Sequence, residues 1–211
     1  EPPRFGGAAT LGGCVAAGLS GPRRAAAGAV RDFVLGARLL DGQGRDLAFG
    51  GRVMKNVAGY DVSRLLAGSL GVLGLILEAS LKVLPRPAEE RTLRLALPEA
   101  EALAALQRWA GQPLPLSASA WRGGELFVRL SGAASAVRAA AQRIGGEAAA
   151  DPWTGIREHT DAWFEGAAPL WRLSVPAHCG PLGLAGPQLI EWGGALRWVR
   201  GGDPAAVREA A

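Results

Sequence analysis

The sequence is poor in the residues that build metal centres and disulfide-rich folds. Its 211 residues include two cysteines, at positions 14 and 179, and two histidines, at positions 159 and 178. Neither cysteine belongs to a C-x-x-C pair, whereas a structural zinc ion or an iron–sulfur cluster takes about four protein ligands. We therefore expect no metal site held by this chain alone and no disulfide-rich secreted fold.

Long hydrophobic runs and a basic-then-apolar signal peptide are also lacking. The most apolar stretch, residues 65–77, is interrupted by glycines and followed by Glu78. It is too short to span a membrane and is typical of a buried strand with its lead-in. These absences predict a cytoplasmic protein.

Lysine is scarce, because it occurs only at positions 55 and 82, and the net charge of +4 comes almost entirely from arginine. The basic residues are scattered and none of their runs is interleaved with aromatics. A solvated surface is therefore favoured over a nucleic-acid groove. Six of the seven tryptophans lie between residues 121 and 198, where we expect them to serve a core or an interface.

Turn and strand signals organise the first part of the chain. Thr10 and Asp61 are typical helix N-caps, and Asp41-Gly42 separates two apolar runs as in a hairpin. The predicted elements are a helix over residues 10–18, a hairpin over 32–49, a helix over 61–68 and a strand over 75–83. Residues 85–91 hold two prolines and a charge cluster, and predict a boundary between domains at 1–87 and 88–211.

The second domain alternates strands and helices. The order strand, helix, strand, strand, helix indicates a small α+β domain with helices on one face of an antiparallel sheet. The predicted strands are 91–97, 116–121, 125–130, 170–176, 188–192 and 195–199, and the predicted helices are 98–110, 133–144, 153–165 and 203 onwards. The chain lacks an initial Met and stops inside the last helix, so we expect both ends to be truncated.

Glycine, by contrast, is abundant near the start. The segment EPPRFGGAATLGG places four glycines and Thr10 around a predicted helix start. Glycine lets backbone N–H groups approach a phosphate or a planar ring, and a helix N-terminus adds donors. The segment suits either a cofactor edge or an ordinary glycine-rich turn. It matches neither G-x-G-x-x-G nor G-x-x-x-x-G-K-[ST], which excludes Rossmann and Walker sites.

A second block makes the pattern specific. It contains Gly59-Tyr60-Asp61, then GSLGVLGLILE at residues 68–78, then Leu81-Lys82. Together with ATLGG at residues 9–13, it resembles the FAD-binding domain of the vanillyl-alcohol-oxidase, or PCMH-type, flavoproteins. The segments GLSGPRR and LWRLSVP are most similar to the E-subunit family of bacterial glycolate oxidases. The resemblance is strong over residues 1–87 and less specific beyond them.

The resemblance implies a fold and a cofactor. The fold is the second part of a PCMH-type FAD-binding domain, without its N-terminal pyrophosphate loop, followed by a ferredoxin-like α+β cap domain on the substrate side. The cofactor is FAD, and no catalytic residue is identified. The implied FAD-binding residues are Thr10, Leu11, Gly12, Gly13, Ala17, Gly18, Ser20, Gly21, Gly71, Gly74, Leu75 and Ile76.

The resemblance also implies a reaction and partners. The reaction is oxidation of glycolate to glyoxylate by an FAD-dependent oxidoreductase, with hydride transfer to flavin N5 and electrons passed to an iron–sulfur subunit. The implied partners are an FAD-binding D-type subunit, an iron–sulfur F-type subunit and a small 2-hydroxy acid, with no nucleic acid. Through the complex, the chain is expected at the inner face of the cell membrane. The alternative is a non-catalytic structural or electron-relay subunit with a degenerate flavin site.

Other polar residues keep two interpretations each. Lys55-Asn56 either reaches a phosphate or substrate carboxylate, or lies at the surface. Arg23-Arg24 faces a pyrophosphate or an acidic partner, or is solvated. Tyr60 either packs beside the flavin or fills the core. His178 is either a base or, more simply, a loop histidine.

Overall fold

A computed structural model describes residues 1–51 and 60–210, which form two compact units. Unit 1 consists of Glu1–Arg86 together with Arg157–His159. Unit 2 consists of Pro87–Ile156 and Thr160–Ala211. The identity of these units as an FAD-binding domain and a cap domain stays a prediction.

Unit 1 is built around a three-stranded antiparallel sheet with strand order β2-β1-β3. Its elements are α1 (Leu11–Ala17), α2 (Arg24–Ala27), a 3-10 turn (Val30–Asp32), β1 (Val34–Leu40), β2 (Asp46–Gly50), α3 (Val62–Leu65) and β3 (Leu75–Leu81). The predicted hairpin is confirmed, because Asp41 closes the turn by accepting the backbone N–H groups of Gln43 and Arg45, each at 2.9 Å. Both predicted N-caps are confirmed as well, since Thr10 accepts from Gly13 and Asp61 accepts from Arg64.

The apolar stretch at 65–77 differs from its prediction. Leu66 is buried, but Leu70, Val72 and Leu75 are 75%, 82% and 63% exposed, so the expected buried lead-in is wrong. The physical reason is that residues 66–74 form successive tight turns, in which Ser69 and Val72 donate backwards to nearby backbone carbonyls. Ile76 carries β3 onto the small core of Ala37, Leu39 and Leu66.

Unit 2 contains a seven-stranded sheet with strand order β7-β4-β6-β5-β9-β10-β8. Its elements are β4 (Glu89–Ala96), α4 (Glu99–Ala110), β5 (Leu116–Arg122), β6 (Glu125–Gly132), α5 (Ala134–Ile144), β7 (Glu147–Ala148), α6 (Trp153–Glu158), β8 (Leu170–Ser174), β9 (Gln188–Glu191), β10 (Leu196–Arg200) and α7 (Pro204–Glu209). The first four strands with α4 and α5 reproduce the ferredoxin-like β-α-β-β-α-β arrangement. The β5–β6 hairpin turns at Gly123 and Gly124, whose φ angles of 56° and 85° suit a type I′ turn.

Both faces of this sheet are covered. On one face, α4 and α5 pack their alanine, leucine and valine side chains onto Leu126, Val128 and Leu130 of β6. The opposite face holds Phe127 and a tryptophan-rich cluster, to which α6 contributes Trp153. The structure thus confirms the expectation that tryptophans serve the core. It also confirms the expectation that the two helices of the strand–helix–strand–strand–helix part lie on one face, and adds α6 on the opposite face.

The predicted helix over 153–165 is confirmed only in its first half. After α6 the chain turns, because His159 has a φ of +54° and Gly155 accepts hydrogen bonds from Thr160 and Asp161. Asp161 then caps a separate 3-10 turn, Ala162–Phe164. In the described ranges, no helix is long and apolar enough to cross a membrane.

Candidate functional site

Unit 1 encloses a cavity of about 230 Å³. Most of its lining is apolar, and three cationic side chains, those of Arg23, Arg24 and Lys82, also line it. The residues that line it are Glu1, Pro2, Leu11, Cys14, Val15, Ser20, Gly21, Arg23, Arg24, Ala27, Gly28, Val30, Phe33, Leu81 and Lys82. An apolar recess lined in part by positive charge suits a ligand that joins a ring or hydrocarbon body to an anionic group.

The wall of the cavity comes from three parts of unit 1. The first turn of α1 presents Leu11 and Cys14, and the following loop presents Ser20. The third part is the end of β3, where Lys82 donates its backbone N–H to the Phe33 carbonyl at 2.8 Å. The sheet therefore fixes Lys82 beside Phe33, and the lysine Nζ lies 5.1 Å from the ring centroid.

A second set of contacts anchors the start of the chain against this wall. Glu158 accepts the backbone N–H groups of Arg4 and Phe5, both at 2.9 Å, and Arg157 Nε at 2.6 Å. Gly21 donates its N–H to the Glu1 carbonyl at 3.0 Å, where a Cβ would collide with that carbonyl. Burial opposes the charge on Glu158, but these hydrogen bonds outweigh it and lower the pKa of its carboxyl group.

The structure divides the predicted cofactor residues into two groups. Leu11, Ser20 and Gly21 line the cavity. The other nine lie outside the lining: Thr10, Gly12, Gly13, Ala17, Gly18, Gly71, Gly74, Leu75 and Ile76. Most residues of this second group lie along the contact between α1 and the segment that leads into β3.

That contact depends on closely approaching backbones. Gly18 ends α1 with a φ of +63°, and a Cβ there would lie 2.7 Å from the Gly68 nitrogen. Leu70 donates its N–H to the Ala16 carbonyl at 2.8 Å. The result is a glycine-lined surface with exposed Leu70 and Leu75 beside it.

Several cavity residues escaped the prediction. Cys14, Phe33 and Leu81 line the recess, although nothing in the glycine motifs marks them. Lys82 belonged to the quoted Leu81-Lys82 pair, and its position at the end of an alternating strand was the available signal. Lys55-Asn56 and Gly59 lie outside the described residues.

The remaining candidates fall in different places. Tyr60 is 96% exposed, so its interpretation as a core residue is wrong. His178 is an exposed residue of the loop between β8 and β9, in unit 2. No group of three or more potential metal ligands is found within residues 1–51 and 60–210.

In unit 2, the buried carboxyl group of Glu191 has a strongly raised pKa. Burial raises the pKa of Glu191 to about 7, against the opposing effects of its hydrogen bond from Trp198 and the positive charge of Arg172. The Trp198 Nε1 donates to Glu191 at 2.8 Å. The Arg172 guanidinium stacks over the rings of Trp192 and Trp198, at 5.3 and 5.6 Å from their centroids. This packing makes the carboxyl a structural group of the core.

Comparison with known proteins finds similarity to a glycolate oxidase subunit along nearly the whole chain. No protein-family model matches the chain. The glycolate oxidase subunit GlcE of Escherichia coli is 49% identical over 201 residues, which is 95% of this chain. The chain is homologous to GlcE. The match covers 57% of the GlcE sequence, so the chain spans just over half the length of this relative.

Two further similarities extend the comparison. The glycolate oxidase subunit GlcD of Bacillus subtilis is 41% identical over 90 residues, covering 43% of this chain and 19% of GlcD. A solved structure of alkyldihydroxyacetonephosphate synthase superposes with a TM-score of 0.66 at 16% identity, covering 99% of this chain and 52% of the synthase. This likeness confirms the predicted mixed α+β, PCMH-type fold.

Proposed function

We propose that this chain is the FAD-binding portion of a subunit of a glycolate oxidase-type complex. The observation that carries the proposal is the 49% identity with GlcE across 95% of the chain, which includes both units. The homologues are FAD-linked oxidoreductases of hydroxy acids, which agrees with the cofactor implied by the glycine motifs.

The residues of unit 1 fit FAD in two respects. FAD joins an aromatic ring system to a pyrophosphate, and the cavity lining combines apolar side chains with the cations Arg23, Arg24 and Lys82. Gly68 and Gly71 have open space where a Cβ would lie, so a flat ligand can approach the backbone there, whereas Gly18 and Gly74 accommodate the backbones of Gly68 and Leu40. We assign cofactor binding to the twelve residues named from the resemblance. When bound, FAD supplies the two-electron oxidising power of the reaction.

The substrate we propose is a small 2-hydroxy acid, glycolate, which becomes glyoxylate by losing two electrons and two protons. We propose that an iron–sulfur subunit receives the electrons, as the resemblance to the glycolate oxidase E subunits implies. A D-type flavin subunit and an F-type iron–sulfur subunit are the partners we propose. We also retain the cytoplasmic location at the inner membrane face as a prediction.

One observation favours a second candidate, an electron-relay or structural subunit. The cavity lining contains no histidine, and its carboxylate, that of Glu1, faces Arg23 at 3.9 Å. The lining therefore lacks histidine, the residue that most often serves as the general base for a hydroxyl. In this alternative the D-type partner oxidises the hydroxy acid and this chain passes electrons onward.

The visible spectrum of the purified full-length protein tests the proposal. We expect a flavin band at close to one FAD per chain. A colourless, folded protein that still binds its D-type partner would contradict it. Mixing the flavin-loaded subunit with glycolate in the absence of oxygen separates the two candidates. Bleaching by glycolate alone supports catalysis here, whereas bleaching only after addition of the D-type partner supports the relay.

A further inference from the structure

Two residues of unit 1 that carry a Cβ adopt positive φ angles in contact with each other. Phe5 has a φ of +46° and His159 a φ of +54°, and the centroids of their rings lie 5.1 Å apart. A left-handed backbone is unfavourable at such residues and persists only where the surroundings hold it. Phe5 is 54% exposed, so burial in a core contributes little to holding it.

The carboxylate of Glu158 supplies the missing support. Its Oε2 accepts the backbone N–H groups of Arg4 and Phe5, both at 2.9 Å. Burial opposes the charge of this carboxyl group, but its hydrogen bonds outweigh that effect and lower its pKa, so the acceptor is ionised at neutral pH. Hydrogen bonds to an ionised acceptor are stronger than those between neutral groups. They therefore offset the cost of the positive φ at Phe5.

The same turn also contacts the loop that follows α1. Glu158 Oε1 accepts Arg157 Nε at 2.6 Å, which fixes the arginine side chain. A Cβ on Gly21 would lie 3.1 Å from the Arg157 Cγ, so this side chain packs directly on the glycine. Residues 157–159, which belong to unit 1, thus contact both ends of residues 5–21, although they lie far away in the sequence.

We propose that Glu158 is a positioning residue for the flavin. The inference rests on the proposed function. Residues 5–21 carry eight of the twelve predicted cofactor residues, and residues 5–11 are all exposed, so apolar burial does little to fix their course. By holding both ends of this stretch, Glu158 sets its shape in advance. FAD then binds without the loss of conformational freedom that ordering the stretch would require.

Titration of FAD into the full-length protein, stripped of its cofactor, tests this role. We compare the wild type with Glu158→Ala and Glu158→Gln. Glu158→Ala removes the acceptor and raises the Kd of FAD about tenfold or more, because binding then includes the ordering of residues 5–21. Glu158→Gln keeps an oxygen that accepts the two N–H groups and leaves the Kd within about threefold of the wild type. An unchanged Kd in Glu158→Ala overturns the positioning role and leaves the proposed function intact.

Asp46→Asn is the matched control. Asp46 is a half-exposed carboxylate of the same unit that pairs with Arg38 at 2.6 Å across the β1–β2 hairpin. It lies outside residues 5–21 and is not one of the predicted cofactor residues. Its replacement leaves the Kd of FAD within about twofold of the wild type, because an exposed ion pair contributes little.

Hydrogen exchange of the Arg4 and Phe5 amides distinguishes positioning from a purely structural role. In the stripped wild type both amides exchange slowly already, and FAD slows them by less than about threefold. In Glu158→Ala they exchange about tenfold or more faster without FAD, and saturating FAD restores their protection, because ordering now accompanies binding.

Two results of the exchange measurement overturn the proposal. One is a stripped wild type in which both amides become slow only after FAD binds, and this result needs no variant. The other is Glu158→Ala in which they stay fast with FAD bound. A wild type that binds no FAD rejects both the role of Glu158 and the proposed function.

Discussion

Glu191 is 4% exposed, and its carboxyl group lies against Trp198 and near the stacked guanidinium of Arg172. Burial raises the pKa of the group from 4.5 to about 7 in the folded protein. Between these two values the native state binds a proton that the unfolded state releases. The stabilisation by the protonated form is therefore complete below the unfolded pKa and is lost as pH rises toward the folded pKa.

We predict that the free energy of unfolding falls by on the order of 3 kcal/mol between about pH 4.5 and pH 7 because of Glu191. Glu191→Gln keeps an acceptor for Trp198 and flattens this part of the pH profile. Urea denaturation at a series of pH values measures it. Glu165→Gln, an exposed change in the same unit, is the control and retains the wild-type slope. An unchanged slope in Glu191→Gln would disprove the assignment.

Gly18 and Gly44 offer a matched pair of left-handed glycines, with φ angles of +63° and +75°. A Cβ on Gly44 meets open space, but a Cβ on Gly18 lies 2.7 Å from the Gly68 nitrogen. We predict that Gly44→Ala costs about 1 kcal/mol and Gly18→Ala at least about 2 kcal/mol more, through the backbone clash. Thermal unfolding of the protein, followed by circular dichroism, measures these two costs. Equal costs for Gly18→Ala and Gly44→Ala would count against the described packing of Gly18 on Gly68.

At the scale of elements, Glu158, which belongs to unit 1, holds the start of the chain. Its carboxylate accepts two backbone N–H groups, those of Arg4 and Phe5. We predict that Glu158→Ala speeds hydrogen exchange of these two amides by about tenfold or more, because a charged acceptor is removed. Mass-spectrometric exchange measures the effect. Glu165→Ala should leave both amides as slow as in the wild type, and unchanged exchange in Glu158→Ala would refute the anchor.

Short sequence motifs predicted the structural features that depend on contacts between residues close together in the sequence. Thr10, Asp41 and Asp61 were predictable because their side chains bond to backbone within four residues. The exposed positions of Leu70 and Val72 were not, because hydrophobicity does not say whether a core is available on that side. The early end of α6 depends on His159 adopting a positive φ, a choice that helix propensity does not contain.

The candidate site was predictable only where a motif carried it. The glycine motifs marked Ser20 and Gly21, which line the cavity. They did not mark Phe33 or Lys82, because these residues meet through the pairing of β1 with β3 rather than through sequence spacing. Tertiary contacts also explain why Gly71 and Gly74 lie outside the cavity lining. Their position depends on how α1 packs along the segment before β3.

At the scale of the whole molecule, all seven tryptophans belong to unit 2 and the single tyrosine, Tyr60, belongs to unit 1. The buried clusters also separate, with Ala37, Leu39 and Leu66 in unit 1 and the tryptophan-rich core in unit 2. Tryptophan fluorescence therefore reports the folding of unit 2.

We predict that Gly18→Ala shifts the denaturant midpoint measured by far-ultraviolet circular dichroism, to which both units contribute, and leaves the fluorescence midpoint in place. Glu191→Gln is the reciprocal control. At pH values above about 7, it should shift the denaturant midpoint measured by tryptophan fluorescence. Coincident shifts by both probes in Gly18→Ala would show that the two units unfold as one cooperative body.

The same partition of tryptophan has an optical consequence. Oxidised flavin absorbs in the region where tryptophan emits, so a flavin held in unit 1 becomes an energy acceptor for donors that all reside in unit 2. The chain thus carries a built-in donor–acceptor pair with no label attached. Fluorescence lifetimes recorded with and without cofactor would show whether a bound flavin accepts energy from the unit 2 tryptophans.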